Sequence, residues 1–314
     1  MKCTLIYNPE SGKKDFVNHL DYVVSRLEEA NYEVTVQATK KAKHATSLAA
    51  QACKEQVDLL VISGGDGTLH ECINGIGRCT FRPKIGYIPS GTACDLASTL
   101  KIPKKVNEAV DIILNGVSTK MDIAKSNKGY FMYVTAIGTY VDISYVTDSK
   151  LKKIFGYVAY LITGVKEFFT IPMIKTKIIH DNGELRGYFS LIMVVNSKKV
   201  AGFNIVHKPV LDDGLVDVVL YRYIPLFNNL LYFISFVLSP TFLPGVKRFR
   251  TSKIKILTEH HHKWNTDGEE ANAGNLLIEV KKQAIDIILR PEIQKKYFKE
   301  QWLWKKEKLE SEKI

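Results

Sequence analysis

Apolar and polar positions follow two different regimes along this chain. Over roughly the first 120 residues, short apolar runs are separated by stretches whose apolar residues recur at helical spacing. The runs at 2–7, 32–37, 59–63 and 84–89 predict strands, and the stretches at 16–30, 45–55 and from about residue 69 predict helices. Repeated strand–helix units imply a parallel sheet with helices on both faces, so residues 1–122 are expected to form an α/β, doubly wound domain. From about residue 123 the pattern changes to strand-length runs bounded by turn residues, at 130–137, 174–180, 184–196, 214–221, 253–258, 275–281 and 284–289. These predict a second domain over 123–289, a mostly antiparallel β-sandwich or barrel. Two apolar helical stretches, 154–169 and 226–238, interrupt it, and a charged helix is expected from residue 293 to about 308.

With 314 residues, 46% of them apolar and 25% charged, the chain has material for two such cores. The net charge of +11 adds a constraint: the protein should be drawn to polyanions such as nucleic acid, anionic membrane or nucleotide phosphates. Its basic residues are scattered among aliphatic and aromatic ones, and no helix-turn-helix, zinc-finger or RNA-recognition pattern occurs, which sets nucleic acid aside. Cys3, Cys53, Cys72, Cys79 and Cys94 show no Cys-x-x-Cys pairing and the N-terminus has no signal-peptide pattern, so reduced thiols and a cytoplasmic location are expected. The apolar stretch at 226–238 is broken by Asn228 and Asn229 and stopped by Pro240 and Pro244, short of the roughly 20 residues a spanning helix needs.

Candidate chemistry concentrates where predicted strands end. The run at 59–63 leads into Gly64, Gly65, Asp66, Gly67 and Thr68, and the run at 84–89 leads into Ser90, Gly91 and Thr92. Glycine lets a backbone approach a ligand closely and a helix start favours negative charge, so phosphate suits this place. Asp66 would repel phosphate unless a divalent cation lay between them; a plain glycine turn closing a strand–helix unit is the alternative. The first strand runs likewise into Asn8, Pro9, Glu10, Ser11, Gly12, Lys13 and Lys14. Ser11 and the free N–H groups there can hold phosphate oxygens, and Lys13 adds positive charge; a solvated helix cap is the other reading. This is not a Walker A loop, because the earlier glycine is missing. Asp213, before Gly214, and the pair Asp267 and Glu269, around Gly268, read in isolation as tight turns.

In this order, the segments 8–14, 64–68 with 90–92, 211–217 and 265–269 resemble the diacylglycerol kinase catalytic family, in particular its soluble bacterial lipid kinases. The resemblance spans nearly the whole chain. It implies a NAD-kinase-like nucleotide domain onto which residues 290–314 return, a β-sandwich for lipid and structural metal, and ATP and magnesium as cofactors. The reaction implied is phosphorylation of the free hydroxyl of diacylglycerol to phosphatidic acid, a step of phospholipid synthesis. By the same resemblance the glycine loops, the 8–14 loop and Thr39 contact the nucleotide. Asp213 with the carbonyls of Val210 and Leu215 holds a structural magnesium. Asp267 is the general base with Glu269 beside it, and Asp66 completes a carboxylate–water–metal network. One departure stands out: the family reads Gly-Thr-x-Asn-Asp, whereas this chain has Gly91, Thr92, Ala93, Cys94, Asp95.

Other acceptors stay open, namely a sphingoid base, ceramide or a phosphatidylglycerol-type lipid, as does a catalytically silent nucleotide- or lipid-binding regulator. A nicotinamide-nucleotide kinase shares the glycine loop but is not expected to carry the Asp267 turn. A lipid acceptor requires reversible, peripheral visits to an anionic membrane surface. Phe227, Phe233 and Phe242 would then enter lipid while Lys247, Arg248, Arg250 and Lys253 meet headgroups, with Trp302 and Trp304 assisting; ordinary core packing is the alternative. Homodimerisation is left open. His260, His261 and His262 would point to alternating faces of a strand, so no metal is expected there.

Overall fold

A computed structural model of the chain describes residues 1–127, 129–139, 171–235, 243–258, 262–271 and 273–299. The chain divides into two compact units. One comprises Met1–Ile123, Val210–Gly214 and the stretch from Lys281; the other comprises Ala124–Pro209 and Leu215–Val280.

The first unit is built on strands β1 (Lys2–Tyr7), β2 (Glu33–Ala38), β3 (Leu59–Gly64) and β4 (Lys84–Pro89), which lie parallel in the order β2-β1-β3-β4. Every residue of β3 is buried, as expected of a central parallel strand covered on both faces. Helices α1 (Leu20–Glu29), α2 (His44–Lys54), α3 (Asp66–Ile76), α4 (Asp95–Leu100) and α5 (Val106–Asn115) connect the strands and lead to β5 (Val117–Ser126). A 3-10 turn, Phe16–His19, precedes α1, so the helix expected over 16–30 starts late. The start of α2 is capped from α3: the Glu71 carboxylate accepts the N–H groups of Lys43 at 2.7 Å and Ala45 at 3.1 Å.

The second unit is antiparallel. Its strands are β6 (Gly129–Phe131), β7 (Val134–Gly138), β8 (Ile174–His180), β9 (Gly183–Val195), β10 (Lys199–Val200), β11 (Phe203–Asn204), β12 (Val216–Arg222), β13 (Val246–Thr251), β14 (Lys253–Thr258), β15 (Trp264–Thr266), β16 (Glu269–Ala271) and the first part of β17 (Leu276–Leu289). The long strand β9 pairs with β8 through its first half and lies between β7 and β12 through its second, which lets one strand serve both layers of the sandwich. Ile192 and Val194 of β9 meet Val218 and Leu220 of β12, Ile254 and Ile256 of β14, Trp264 and Ile278 in the core. A short helix, α6 (Asn228–Phe233), follows β12.

From Lys281 the chain belongs to the first unit again. There β17 adds to the parallel sheet beside β4, with Asp286 opposite Lys84 and Ile287 opposite Ile85. Helix α7 (Pro291–Tyr297) follows, opened by a proline at its first position, where no N–H partner is needed. Two expected strands, 275–281 and 284–289, are thus one strand that bends at Gln283, whose φ is +51°. One expected strand, 130–137, is two, for a reason given below. The helix expected at 154–169, the end of the one expected to 308 and the His260–His261 pair fall outside the described residues.

Candidate active site

β1, β3 and β4 are parallel and end at one edge of the first unit's sheet, so the loops that follow them meet there. They interlock through backbone. Gly12 has a φ of +54°, and a Cβ on it would overlap the Ser90 carbonyl oxygen. A Cβ on Gly91 would collide with the Gly65 Cα, and one on Gly65 would lie 3.3 Å from the Gly91 Cα. These glycines are therefore needed for loop against loop, before any ligand is considered. Asn8 ties the first two loops together, its Nδ2 donating to Thr68 Oγ1 at 3.2 Å and its N–H to the Ser63 carbonyl at 3.0 Å. Ser11 is buried in this cradle, whereas Lys13 is exposed. The Thr39 N–H donates to the Tyr7 carbonyl at 2.9 Å, which sets Thr39 at the same edge.

Helix α3 begins at Asp66, with Gly65 as its cap residue in extended conformation. The dipole of the helix makes this edge electropositive. Asp66 Oδ2 accepts the Asp95 N–H at 3.2 Å and so links the starts of α3 and α4. Lys104 Nζ donates to the Thr92 carbonyl at 2.6 Å, a tether the sequence did not reveal. A cavity of about 420 Å3 opens beside Ser90, lined by Phe16, Tyr22, Lys104 and Lys105 among others. Cys94, where the family reads Asn, is buried with φ +54° and ψ +58°, a left-handed conformation that Asn tolerates better than Cys. Burial, and next the charge of Asp66, push its thiol up to about 11, so at neutral pH it is no nucleophile.

Asp213 and Val210 lie on the 210–214 stretch that belongs to the first unit; Leu215 starts the following stretch of the second, and its carbonyl accepts from Arg250 Nη2 at 3.5 Å. Beside Asp213 is Asp122, fully buried at the middle of β5. Its Oδ2 accepts the Gly214 N–H and its Oδ1 the Gln283 N–H, each at 2.6 Å. Desolvation first, then the charges of Asp213 and Asp212, raise the Asp122 carboxyl to about 6 against the pull of these two N–H donors. Among the described residues no three His, Cys, Asp or Glu side chains form a ready cation cage, so an ion here would rest on a carboxylate, carbonyls and water. Carboxylate and carbonyl oxygens suit magnesium, and surplus negative charge beside Asp213 is what a cation would relieve.

A pH signature follows. Because the folded Asp122 keeps its proton up to about pH 6 while an unfolded one loses it near pH 4, stability falls as pH rises through that window, by at most about 3 kcal/mol. Magnesium should offset this loss where the Asp122 carboxylate is charged. Its addition is expected to raise the melting temperature clearly at pH 7.5 and little at pH 5.0, with about 2.7 kcal/mol at 100 times the dissociation constant. Asp213→Ala should erase the difference in scanning calorimetry; equal melting curves with magnesium and with chelator at pH 7.5 would leave the segment a turn only.

Asp267 closes the turn between β15 and β16, at φ +52°, and its side chain is 1% exposed. Its Oδ2 accepts the Met132 N–H at 2.8 Å, and its Oδ1 accepts those of Tyr133 and Val134 at 3.0 Å each. Its own N–H donates to the Val134 carbonyl at 2.9 Å. These bonds take the Met132 and Tyr133 amides out of the strand ladder, and for that reason the run at 130–137 is split into β6 and β7. Glu269 is exposed at the start of β16. Of the two carboxylates, one is therefore enclosed by backbone donors and the other is open.

Comparison with known proteins matches this architecture. A model of the diacylglycerol kinase catalytic domain fits residues 2–126, and one of the YegS C-terminal NAD kinase beta sandwich-like domain fits residues 135–289. A diacylglycerol kinase of Staphylococcus aureus (strain bovine RF122 / ET3-1) is 39% identical over 220 residues, 70% of either chain. One from Staphylococcus carnosus (strain TM300) is 38% identical over 222 residues, covering 70% of this chain and 72% of its own. The crystal structure of a protein described as a putative diacylglycerol kinase from Bacillus anthracis superposes with a TM-score of 0.81 at 26% identity, over 93% of this chain and 96% of that one. With the interlocked glycine loops, the β-sandwich and relatives of this closeness, the chain belongs to the diacylglycerol kinase catalytic-domain family, a family of lipid kinases.

Proposed function

We propose that this lipid kinase transfers the γ-phosphoryl group of ATP to the free hydroxyl of diacylglycerol, giving phosphatidic acid and ADP. The observation that carries the reading is the cradle of the 8–14, 64–68 and 90–92 loops, whose glycines let three backbones pack against one another at the sheet edge where helix α3 begins. Such a surface holds a triphosphate without selecting its charge state. Magnesium, when bound, supplies the positive charge that lets Asp66 share the edge with phosphate oxygens. The acceptor oxygen forms its bond to the γ-phosphorus as the bond to the bridging oxygen breaks, and its proton must go to a base.

We assign that proton to Glu269. Asp267 has its oxygens engaged by three backbone N–H groups, which orient the turn, whereas Glu269 is exposed and able to receive a hydroxyl. Glu269→Gln should therefore lower kcat by at least about a hundredfold, the usual scale for a general base, and leave nucleotide affinity and melting temperature near wild type. Turnover within tenfold of wild type would return the role to another group. The acceptor itself is tested with labelled ATP and a panel of lipids in mixed micelles. Label in phosphatidic acid supports the reading; label only in a sphingoid base, ceramide or a phosphatidylglycerol-type lipid reassigns the substrate, and no label in any lipid sinks it.

A further inference from the structure

Helix α6 is amphipathic in the wrong sense. The face it turns inward carries Asn228, which is fully buried, together with Leu231 and Tyr232; Ser235, one turn on, is buried too. Asn228 is held by a polar network, its Nδ2 donating to Ser190 Oγ and to the Arg222 carbonyl at 2.8 Å each, and its Oδ1 accepting the Ile224 N–H at 2.7 Å. Tyr232 donates to Thr139 Oγ1 at 3.2 Å, and Tyr221 shares a 2.7 Å hydrogen bond with Ser235. Outward point large apolar side chains: Leu226 is 96% exposed, Phe227 60% and Leu230 54%. Single exposed leucines are common on proteins, but three large apolar residues within five positions, on a mount fixed by buried polar groups, are not.

The surroundings say what covers them. From Val218 to Thr258 the sequence contains no Asp or Glu, while Arg222 and Lys247 are exposed close by in the pairing of β12 with β13. Tyr188, half exposed, stands opposite Lys175 in the β8–β9 pair, and its carbonyl accepts the Tyr223 N–H at 2.9 Å, so it borders the same tip. Leu226 also has φ +66°, a conformation a bulky residue adopts only when held there. We propose that Leu226, Phe227 and Leu230 form a wedge that inserts into the interface of an anionic lipid bilayer, with Arg222 and Lys247 against its headgroups. An apolar tip flanked by exposed cations, in a sequence stretch without carboxylates, is the pattern of interfacial docking. The proposal rests on the reading that the acceptor is a lipid.

It differs from the docking expected from sequence in which charges matter. Arg248 donates to the Ile205 carbonyl at 2.9 Å, Arg250 pairs with Asp217 at 3.6 Å and Lys253 with Glu279 at 3.5 Å, so these three are occupied within the protein. Phe242, Trp302 and Trp304 lie outside the described residues. The test is co-sedimentation of the full chain with vesicles of phosphatidylglycerol and phosphatidylcholine. Leu226→Ser/Phe227→Ser/Leu230→Ser should weaken binding at least about tenfold, Arg222→Gln/Lys247→Gln several-fold, and added salt should mimic the second change. A Phe227→Trp protein should show more fluorescence quenching by brominated lipid than wild type, whose own tryptophans are Trp264, Trp302 and Trp304. Unchanged binding by the triple variant, no binding by wild type, or a wild-type dimer that the triple variant dissolves would each overturn the proposal, the last by giving the patch to a second copy. Turnover of a dispersed short-chain diacylglycerol should survive in the triple variant. Wild type that binds vesicles through the wedge yet phosphorylates no diacylglycerol would uphold the wedge and remove the substrate assignment.

Discussion

Asp267→Asn should melt well below wild type as well as lose activity. The substitution keeps shape and tolerates the φ of +52° as readily as aspartate does, so backbone strain is held constant. What changes is one buried oxygen into an NH2 group. An amide oxygen can still accept from Tyr133 and Val134, but its nitrogen then faces the Met132 N–H, donor against donor in a buried place. Hydrogen bonds to charged groups contribute roughly 1.5–3 kcal/mol, and an unmatched buried donor costs a similar amount, so a loss of about 3 kcal/mol is expected. For a unit of this size that is a fall of roughly 6–12 °C in melting temperature. Turnover should drop because the turn that presents Glu269 is misplaced, while ATP affinity stays. A melting curve within 2 °C of wild type, with activity lost, would mean that the carboxylate acts in chemistry rather than in construction.

Gly91→Ala should abolish nucleotide binding in a protein that remains folded. Gly91 does not have the positive φ that marks Gly12, so the added methyl tests close approach alone. It would be driven into the Gly65 Cα, and both atoms belong to backbone that cannot rotate aside. The loops must then part, and a phosphate site built from all three of them would be opened. Losing two charge-assisted hydrogen bonds amounts to about 3–6 kcal/mol, or at least about a hundredfold in the ATP dissociation constant. Isothermal calorimetry reads this directly, and an affinity within threefold of wild type would show that the loops do not act as one cradle.

Much of this was legible in the residues. β1, β4, β8 and β14 fall where their apolar runs end, because a strand buried on one or both faces has little freedom in its bounds. α4 and α5 were not anticipated. α5 does carry a helical stripe of Ala109, Val110, Ile112 and Ile113, so that signal was present and unread; α4 is short and starts from a left-handed Cys94, which no period announces. The glycine loops stood out as candidate phosphate loops by order and spacing. That they bear on one another was not, since contact between Gly12 and Ser90 depends on where strands far apart in sequence come to rest. The same holds for Asp267: its enclosure is decided by Met132, Tyr133 and Val134, more than a hundred positions earlier. Asp122 looked like an ordinary strand residue and gains its character only from Asp212, Asp213 and burial.

The return of the chain to its first unit at Lys281 has a consequence for synthesis. When a ribosome has made residues 1–123, β4 lacks the neighbour that will cover its outer edge, and Arg82 lacks the Ala284 carbonyl to which its Nη1 finally donates at 2.6 Å. At roughly 5–20 residues per second, β17 is complete about 8–33 seconds later, an interval in which β4 is an open template for a neighbouring nascent chain. The apolar core that forms first is thus also the one finished last. A gene fragment ending near residue 123 would make that interval permanent, and its product should aggregate where the whole chain does not.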